Sequence, residues 1–133
     1  MPIIIKKKAK APTPEPLVDG EPPKPTGGRL LDGKCRAIIK THPNAIVAWW
    51  LIASYAYYIH DKPILSDGLY DELAKTMLDR WSDIEHPHKH LITEENLKAG
   101  SLFNLSAEQY PSITKGAASQ LIKSAWGVTV PLV

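Results

Sequence analysis

The chain has a single cysteine, Cys35, in 133 residues. An internal disulfide is therefore excluded, and the composition fits a reducing compartment. Strong charge of either sign is also missing. Lys and Arg total 16 against 14 Asp and Glu, a formal net charge of +2. That balance gives no electrostatic reason to expect nucleic acid as the main partner. No apolar run approaches the roughly 20 residues of a bilayer-spanning helix, so no membrane association is expected. The apolar start Met1–Ile5 precedes Lys6, Lys7 and Lys8. A secretory signal has its positive region first, so this order argues against one. The length suits one small domain with tails.

Proline, by contrast, is abundant and unevenly placed. Residues 1–28 hold Pro2, Pro12, Pro14, Pro16, Pro22, Pro23 and Pro25 and end in Gly27-Gly28. Proline at this density removes backbone donors and locks φ, which excludes helix and inner strand. An extended, polyproline-like arm is expected over residues 1–28, followed by one helical domain over 29–133. Lys6, Lys7, Lys8 and Lys10 suit phosphate or an acidic protein face, or simply solvation. Ile3-Ile4-Ile5 is a short β-prone run able to add to a partner's sheet edge.

Residues 29–43 read as a short helix or an extended lead-in, closed by Pro43, with Asn44 as a candidate N-cap. Ala45 to Ile59 forms a helix that is apolar on all sides and hence buried on most of them. Either a second chain meets Trp49-Trp50, or the second helix and the C-terminal region cover them. A second helix is expected from Ser66 or Asp67 to about Ser82, with Leu69, Leu73, Met77, Leu78 and Trp81 facing the first. His86, His88 and His90 alternate, but no cysteine or acidic motif completes a metal set, so no metal is expected. Thr93 caps a short helix that Gly100 ends. Residues 101–110 read as loop. A last helix is expected over about Pro111–Trp126, with Ile113, Ala117, Ala118, Leu121, Ile122 and Ala125 on one face and Gly127 as its stop. The apolar tail 128–133 then packs on this domain or on a neighbour.

The most informative stretch is YAYYIHDKPILSDGLYD, residues 55–71. Asp67, Tyr70 and Asp71 stand at i, i+3 and i+4, one face of a helix. Tyr55, Tyr57 and Tyr58 come from the last turn of the preceding helix. Two carboxylates and facing phenols around a tight bend suit a flat, cationic guest. The same residues also fit plain helix packing, with Asp67 as a first-turn acid favoured by the helix dipole.

The spacing Tyr-x-Tyr-x-x-x-Asp-x-Pro-x-x-x-Asp-x-x-Tyr-Asp, running from Tyr55 to Asp71, resembles the N-terminal Ia domain of bacterial NAD-dependent DNA ligases over about residues 45–83. The resemblance implies a helical hairpin that closes over the nicotinamide mononucleotide half of NAD. It implies that Tyr57 and Tyr70 flank the nicotinamide ring, that Asp67 and Asp71 hold it, and that Asp61 and Pro63 set the approach of the helices. The chain departs from the family at Tyr58, where the ligases carry a histidine. It is also similar to small ligase-related proteins of the kind associated with tailed bacteriophages.

Ligase chemistry needs a lysine nucleophile in a Lys-x-Asp-Gly motif, in a pocket tuned to deprotonate it. Asp-Gly occurs at Asp19-Gly20, Asp32-Gly33 and Asp67-Gly68, but a leucine and not a lysine stands two residues before each. The expectation is a mainly α protein: a hairpin, a third helix, an extended proline-rich N-terminal arm and an extended C-terminal tail. Two functions fit. The first is a non-enzymatic structural protein of a virion, docking by its arms onto other protein chains of a larger assembly, in the virion or the cytoplasm of a bacterial host, with no cofactor or only a vestigial nucleotide pocket. The second is a nicotinamide mononucleotide- or NAD-binding module accessory to a nucleotidyltransferase. An open Tyr57–Tyr70 gap favours binding, and a filled one favours scaffolding. Incubated with NAD and nicked DNA, the chain is expected to give no lysine–adenylate adduct by mass spectrometry and no sealed product. An adduct would refute the motif argument.

Overall fold

The computed structural model describes residues 30–102 and 104–133. The expected arm over residues 1–28, with its strand-forming and basic segments, lies outside the described residues. Among those described, all regular structure is helical. Helix α1 (Asp32–Thr41) settles the first ambiguity in favour of a helix. It buries Cys35 and is fastened to later parts of the chain. Leu31 donates its N–H to the Ile64 carbonyl at 2.8 Å. Arg36 forks onto Glu72 at 2.8 and 3.1 Å, a bidentate geometry that fixes orientation even where exposure limits its energy.

Helix α2 (Ala45–Ser54) is apolar on every side, and every residue from Trp49 to Ser54 is buried. The chain itself provides the cover. Helices α3 (Asp67–Asp79) and α5 (Ser112–Trp126) both pack on α2, leaving Trp49 only 5% and Trp50 0% exposed. A second chain is therefore not needed to bury this pair. Burying each such side chain contributes about 1.5–3 kcal/mol. Asn44 does not act as the expected cap. Its backbone is already helical (φ −72°, ψ −13°), and its side chain instead accepts the Glu85 N–H at 3.2 Å. A cap needs a non-helical backbone to aim its oxygen at the first turn.

Between α2 and α3 the chain changes helical pitch and then turns. Tyr55–Ile59 is a π-helical turn continuous with α2. Asp61 follows with φ +55°, the left-handed conformation that Asp tolerates better than most residues. The Asp61 N–H reaches the Tyr57 carbonyl and the Lys62 N–H reaches the Ala56 carbonyl, which together close the wide turn. Ser66 caps α3, its side chain accepting the Leu69 N–H at 3.1 Å. Asp32 grips Ser66 in turn, taking its N–H at 2.9 Å and its hydroxyl at 2.6 Å. Helix α1 thus locks the start of α3.

Helix α3 stops at Asp79, short of the expected Ser82. Arg80 leaves the helical region (φ −121°, ψ 23°), and Trp81–Asp83 is a 3₁₀ turn. The histidine run folds as a local turn: His86 Nδ1 accepts the His88 N–H at 3.1 Å and His90 Nδ1 lies 3.1 Å from the Pro87 carbonyl. Lys89 lies over the Trp81 ring and donates to the Trp81 and Ile84 carbonyls. Helix α4 (Glu94–Ala99) has the expected Thr93 cap, made reciprocal by Asn96, and ends at Gly100 with φ +68°. Five α-helices therefore stand among the described residues, α1 and α4 joining the expected hairpin and third helix. The stretch expected as loop carries a 3₁₀ turn at Ala107–Gln109.

Helix α5 buries Thr114, Ala118, Ile122 and Ala125, and Gly127 ends it in the left-handed region. The expected face was misplaced at its start: Ile113 is 73% exposed and Thr114 takes the inner position. The inner stripe is built largely from small residues, which let α5 approach the bulky side chains of α2 closely. The tail lies on its own domain. Val133 exchanges backbone hydrogen bonds with the Tyr55 hydroxyl at 3.1 and 3.3 Å, and Trp126 Nε1 donates to the Pro63 carbonyl at 2.9 Å. No described helix is long and apolar enough to cross a membrane. Trp50→Ala is expected to cost about 3–5 kcal/mol in denaturant unfolding, and Ile113→Ala under about 0.5 kcal/mol. Equal losses would contradict this packing.

Candidate ligand site

The bend between α2 and α3 opens a cavity of about 440 Å³. One wall is the π turn, with Tyr57 and Tyr58. A second is the loop Pro63–Leu65 and the first turns of α3, with Asp67, Gly68, Tyr70 and Asp71. A third is the end of α4, Ala99 and Gly100. The four residues singled out in the sequence, Tyr57, Asp67, Tyr70 and Asp71, therefore border one space. Tyr55 does not join them. Its buried ring packs edge-on to Tyr110 and His60, at centroid distances of 5.2 and 5.0 Å.

The π turn explains this division. A wider turn rotates each residue less about the axis, so neighbouring residues stay on one face. Tyr57 and Tyr58 both line the cavity, their rings 4.9 Å apart at 74°. Tyr58 is fixed by a 2.7 Å bond between its hydroxyl and Ser101 Oγ. On the opposite wall Tyr70 stacks on Trp50, centroids 4.9 Å apart and planes 19° from parallel. Its hydroxyl lies 2.6 Å from Ser54 Oγ. The Ser54 hydroxyl donates to the Trp50 carbonyl at 2.7 Å, so the proton of the shared bond comes from Tyr70. Trp50 Nε1 donates to the Tyr70 carbonyl at 3.2 Å and completes the clasp.

The phenols are neutral groups here. Burial, reinforced by the Asp67 charge, pushes Tyr57 above the ordinary phenol value. Burial likewise raises Tyr58, against the lowering effect of its bonds to Ser101 and Tyr70. Tyr70 is raised well above its ordinary value, first by burial and then by the nearby Tyr58. The charge bordering the cavity is thus carried by Asp67 and Asp71, both on exposed residues. Asp71 has a partner one turn on, Lys75 Nζ at 3.1 Å, in an exposed pair worth little. Gly100 is favoured by its φ of +68°, and a Cβ there would lie 3.3 Å from Asp71 Oδ1, so that exposed carboxylate would have to shift slightly. A Cβ on Gly68 would meet nothing within 4 Å, so the space beside that residue is open.

The arrangement can hold a flat cation, with aromatic faces for the ring and carboxylates for the charge. It offers no activated nucleophile. Cys35 is fully buried away from the cavity, its thiol pushed up to about 12 by desolvation and by Asp32. Sequence spacing missed the α4 wall and Ser101, which are roughly thirty residues downstream and carry no periodic link to the hairpin. The Thr93 cap and Gly100 stop were readable, but not which face of the fold they would reach.

Part of the chain is similar to a DNA ligase. It is 36% identical over 62 residues to the DNA ligase of Synechococcus sp. (strain JA-3-3Ab), a match covering 47% of this chain and 8% of the ligase. The chain thus matches a small segment of that enzyme. No family model matches the chain. No solved structure matches it.

The raised phenols make stability depend on alkaline pH. The folded state keeps protons that unfolded tyrosines lose near pH 10, so this contribution is full below about pH 10 and falls as pH rises through and beyond it. Tyr110, raised chiefly by burial, adds to it. Denaturant midpoints are expected to be level up to about pH 9 and then to drop. Phenolate absorbance from Tyr57, Tyr58, Tyr70 and Tyr110 should appear only with unfolding. Ionisation of these tyrosines near pH 10 in the folded chain would contradict the buried network.

Proposed function

We propose that the chain is a binding module for the nicotinamide end of a nicotinamide nucleotide or nucleoside, built on a ligase-related hairpin of the Ia type, and that it does not itself transfer adenylyl groups. The observation that carries this reading is the convergence of Tyr57, Asp67, Tyr70 and Asp71 on one open cavity. A pure packing role would fill the gap between the two helices with side chains. The gap instead has the volume of small-molecule sites, roughly 300–1,000 Å³. The oxidised nicotinamide ring is flat and positively charged, and the cavity presents aromatic faces and two carboxylates to it. The similarity of part of the chain to a DNA ligase supports the same reading.

A structural role in a virion assembly rests on the arm over residues 1–28. The apolar α2 that also pointed there is covered by its own chain.

Calorimetric titration with nicotinamide riboside is expected to show saturable binding. Asp67→Asn and Asp71→Asn should each weaken it by about 5- to 100-fold, the worth of a charge-assisted contact. The reduced riboside, whose ring is neutral, should bind more weakly than the oxidised form. Equal affinity for the two forms, or no binding of either, would remove this function.

A further inference from the structure

We propose that the tail 128–133 is a strap on the back of the π turn, and that Tyr55 is the positioning residue through which the seated tail holds Tyr57 and Tyr58 at the cavity. This rests on the binding reading above and adds how the site is kept in shape. The turn Tyr55–Ile59 has two sides. Tyr57 and Tyr58 line the cavity, and Tyr55 is buried on the other side. The Tyr55 hydroxyl meets the tail there. It accepts the Val133 N–H at 3.1 Å and donates to the Val133 carbonyl at 3.3 Å. His60, just after the turn, packs edge-on to Tyr55 at 5.0 Å, and the Pro131 carbonyl faces its ring. Trp126, at the end of α5, holds the next stretch. Its Nε1 donates to the Pro63 carbonyl at 2.9 Å, and Lys62 lies 5.2 Å over its ring. Tyr55, His60, Lys62 and Pro63 are thus all held by residues 126–133.

A π turn is rare, and nothing in the apolar spacing of residues 55–59 asks for one. The contacts from residues 126–133 supply the reason. Their hold is light at the tail. Residues 128–133 form neither helix nor strand, and Val128, Leu132 and Val133 are 39, 59 and 50% exposed. Helix α5 is anchored without them, through Ala118, Ile122 and Ala125, and Gly127 in the left-handed region separates it from the tail. A segment with so little burial opens at small cost while the helices stay folded. Seated, the tail fixes the Tyr55 hydroxyl and with it the roll of the turn. Lifted, it frees the turn to relax towards the α-helical pitch, which carries Tyr57 and Tyr58 apart around the axis. A ligand between Tyr57 and α3 therefore favours the seated tail, and by reciprocity the seated tail tightens the ligand.

The test uses the full chain and nicotinamide riboside. Tyr55→Phe keeps the ring in the core and removes the hydroxyl. Val133→Pro removes the N–H that this hydroxyl accepts and alters a side chain that is half exposed. Each is expected to weaken riboside binding about three- to tenfold, the worth of one hydrogen bond, and the double variant no more than the weaker single one. In the unaltered chain, amide exchange at Val133 is expected to slow by a similar factor at saturating riboside, with the histidine turn unchanged. A merely structural tail would lower the melting temperature of both variants and leave the riboside affinity and the Val133 exchange rate as they were. That result would overturn the strap while leaving the binding function standing. Absence of riboside binding in the unaltered chain would overturn the function and the strap together. Should Tyr55→Phe fail to fold, Val133→Pro decides between the same outcomes.

Discussion

The contact between Trp50 and Tyr70 is the one on which the rest of the architecture depends. Their rings stack at 4.9 Å, the indole N–H holds the Tyr70 carbonyl, and the Tyr70 hydroxyl returns to α2 through Ser54. Stacking alone would leave the two helices free to slide. The two hydrogen bonds fix register and rotation, because each joins a side chain to a defined atom on the other helix. The same contact orients Tyr70 as a wall of the cavity. Packing and site are thus one interaction, and Tyr70 serves both of the roles that its spacing allows.

The π turn does the complementary work on the other wall. An α-helical continuation of α2 would carry Tyr57 and Tyr58 further apart around the axis. The wider turn keeps both at the cavity while Tyr55 stays in the core. Asp61 in the left-handed region and the long bond from Lys62 N–H to Ala56 O bring that turn to a close. Helix α1, outside the hairpin, holds the far side steady through Asp32 on Ser66 and Arg36 on Glu72. The acids of α3 therefore stand on a helix start braced from two directions, which is how a small domain can preorganise a site.

Much of this was readable in the residues. Thr93, Gly100 and Gly127 announced helix ends because capping chemistry is local, and all three act as read, while Ser66, expected as a possible first residue of its helix, is the cap before it. Asp67, Tyr70 and Asp71 were readable as one face from their spacing alone. The failures share a cause. Asn44 has the right chemistry for a cap, but its backbone is already helical and its side chain is drawn to the distant Glu85 N–H. Ile113 fits the apolar periodicity, yet the close approach of α5 to α2 selects the smaller Thr114. The π turn follows no apolar period, and the α4 wall comes from a distant stretch. Tertiary packing decided each of these.

The central claim is that the space between Tyr57, Tyr70 and the two acids is a ligand site and not a packing gap. Amide chemical-shift mapping with nicotinamide riboside tests it most directly, because Gly68 and Gly100 mark two separate walls. The account predicts saturable shifts at Tyr57, Gly68, Tyr70, Asp71 and Gly100, with α5 and the histidine turn undisturbed. Shifts confined to the surface away from these residues, or none at saturating ligand, would contradict it.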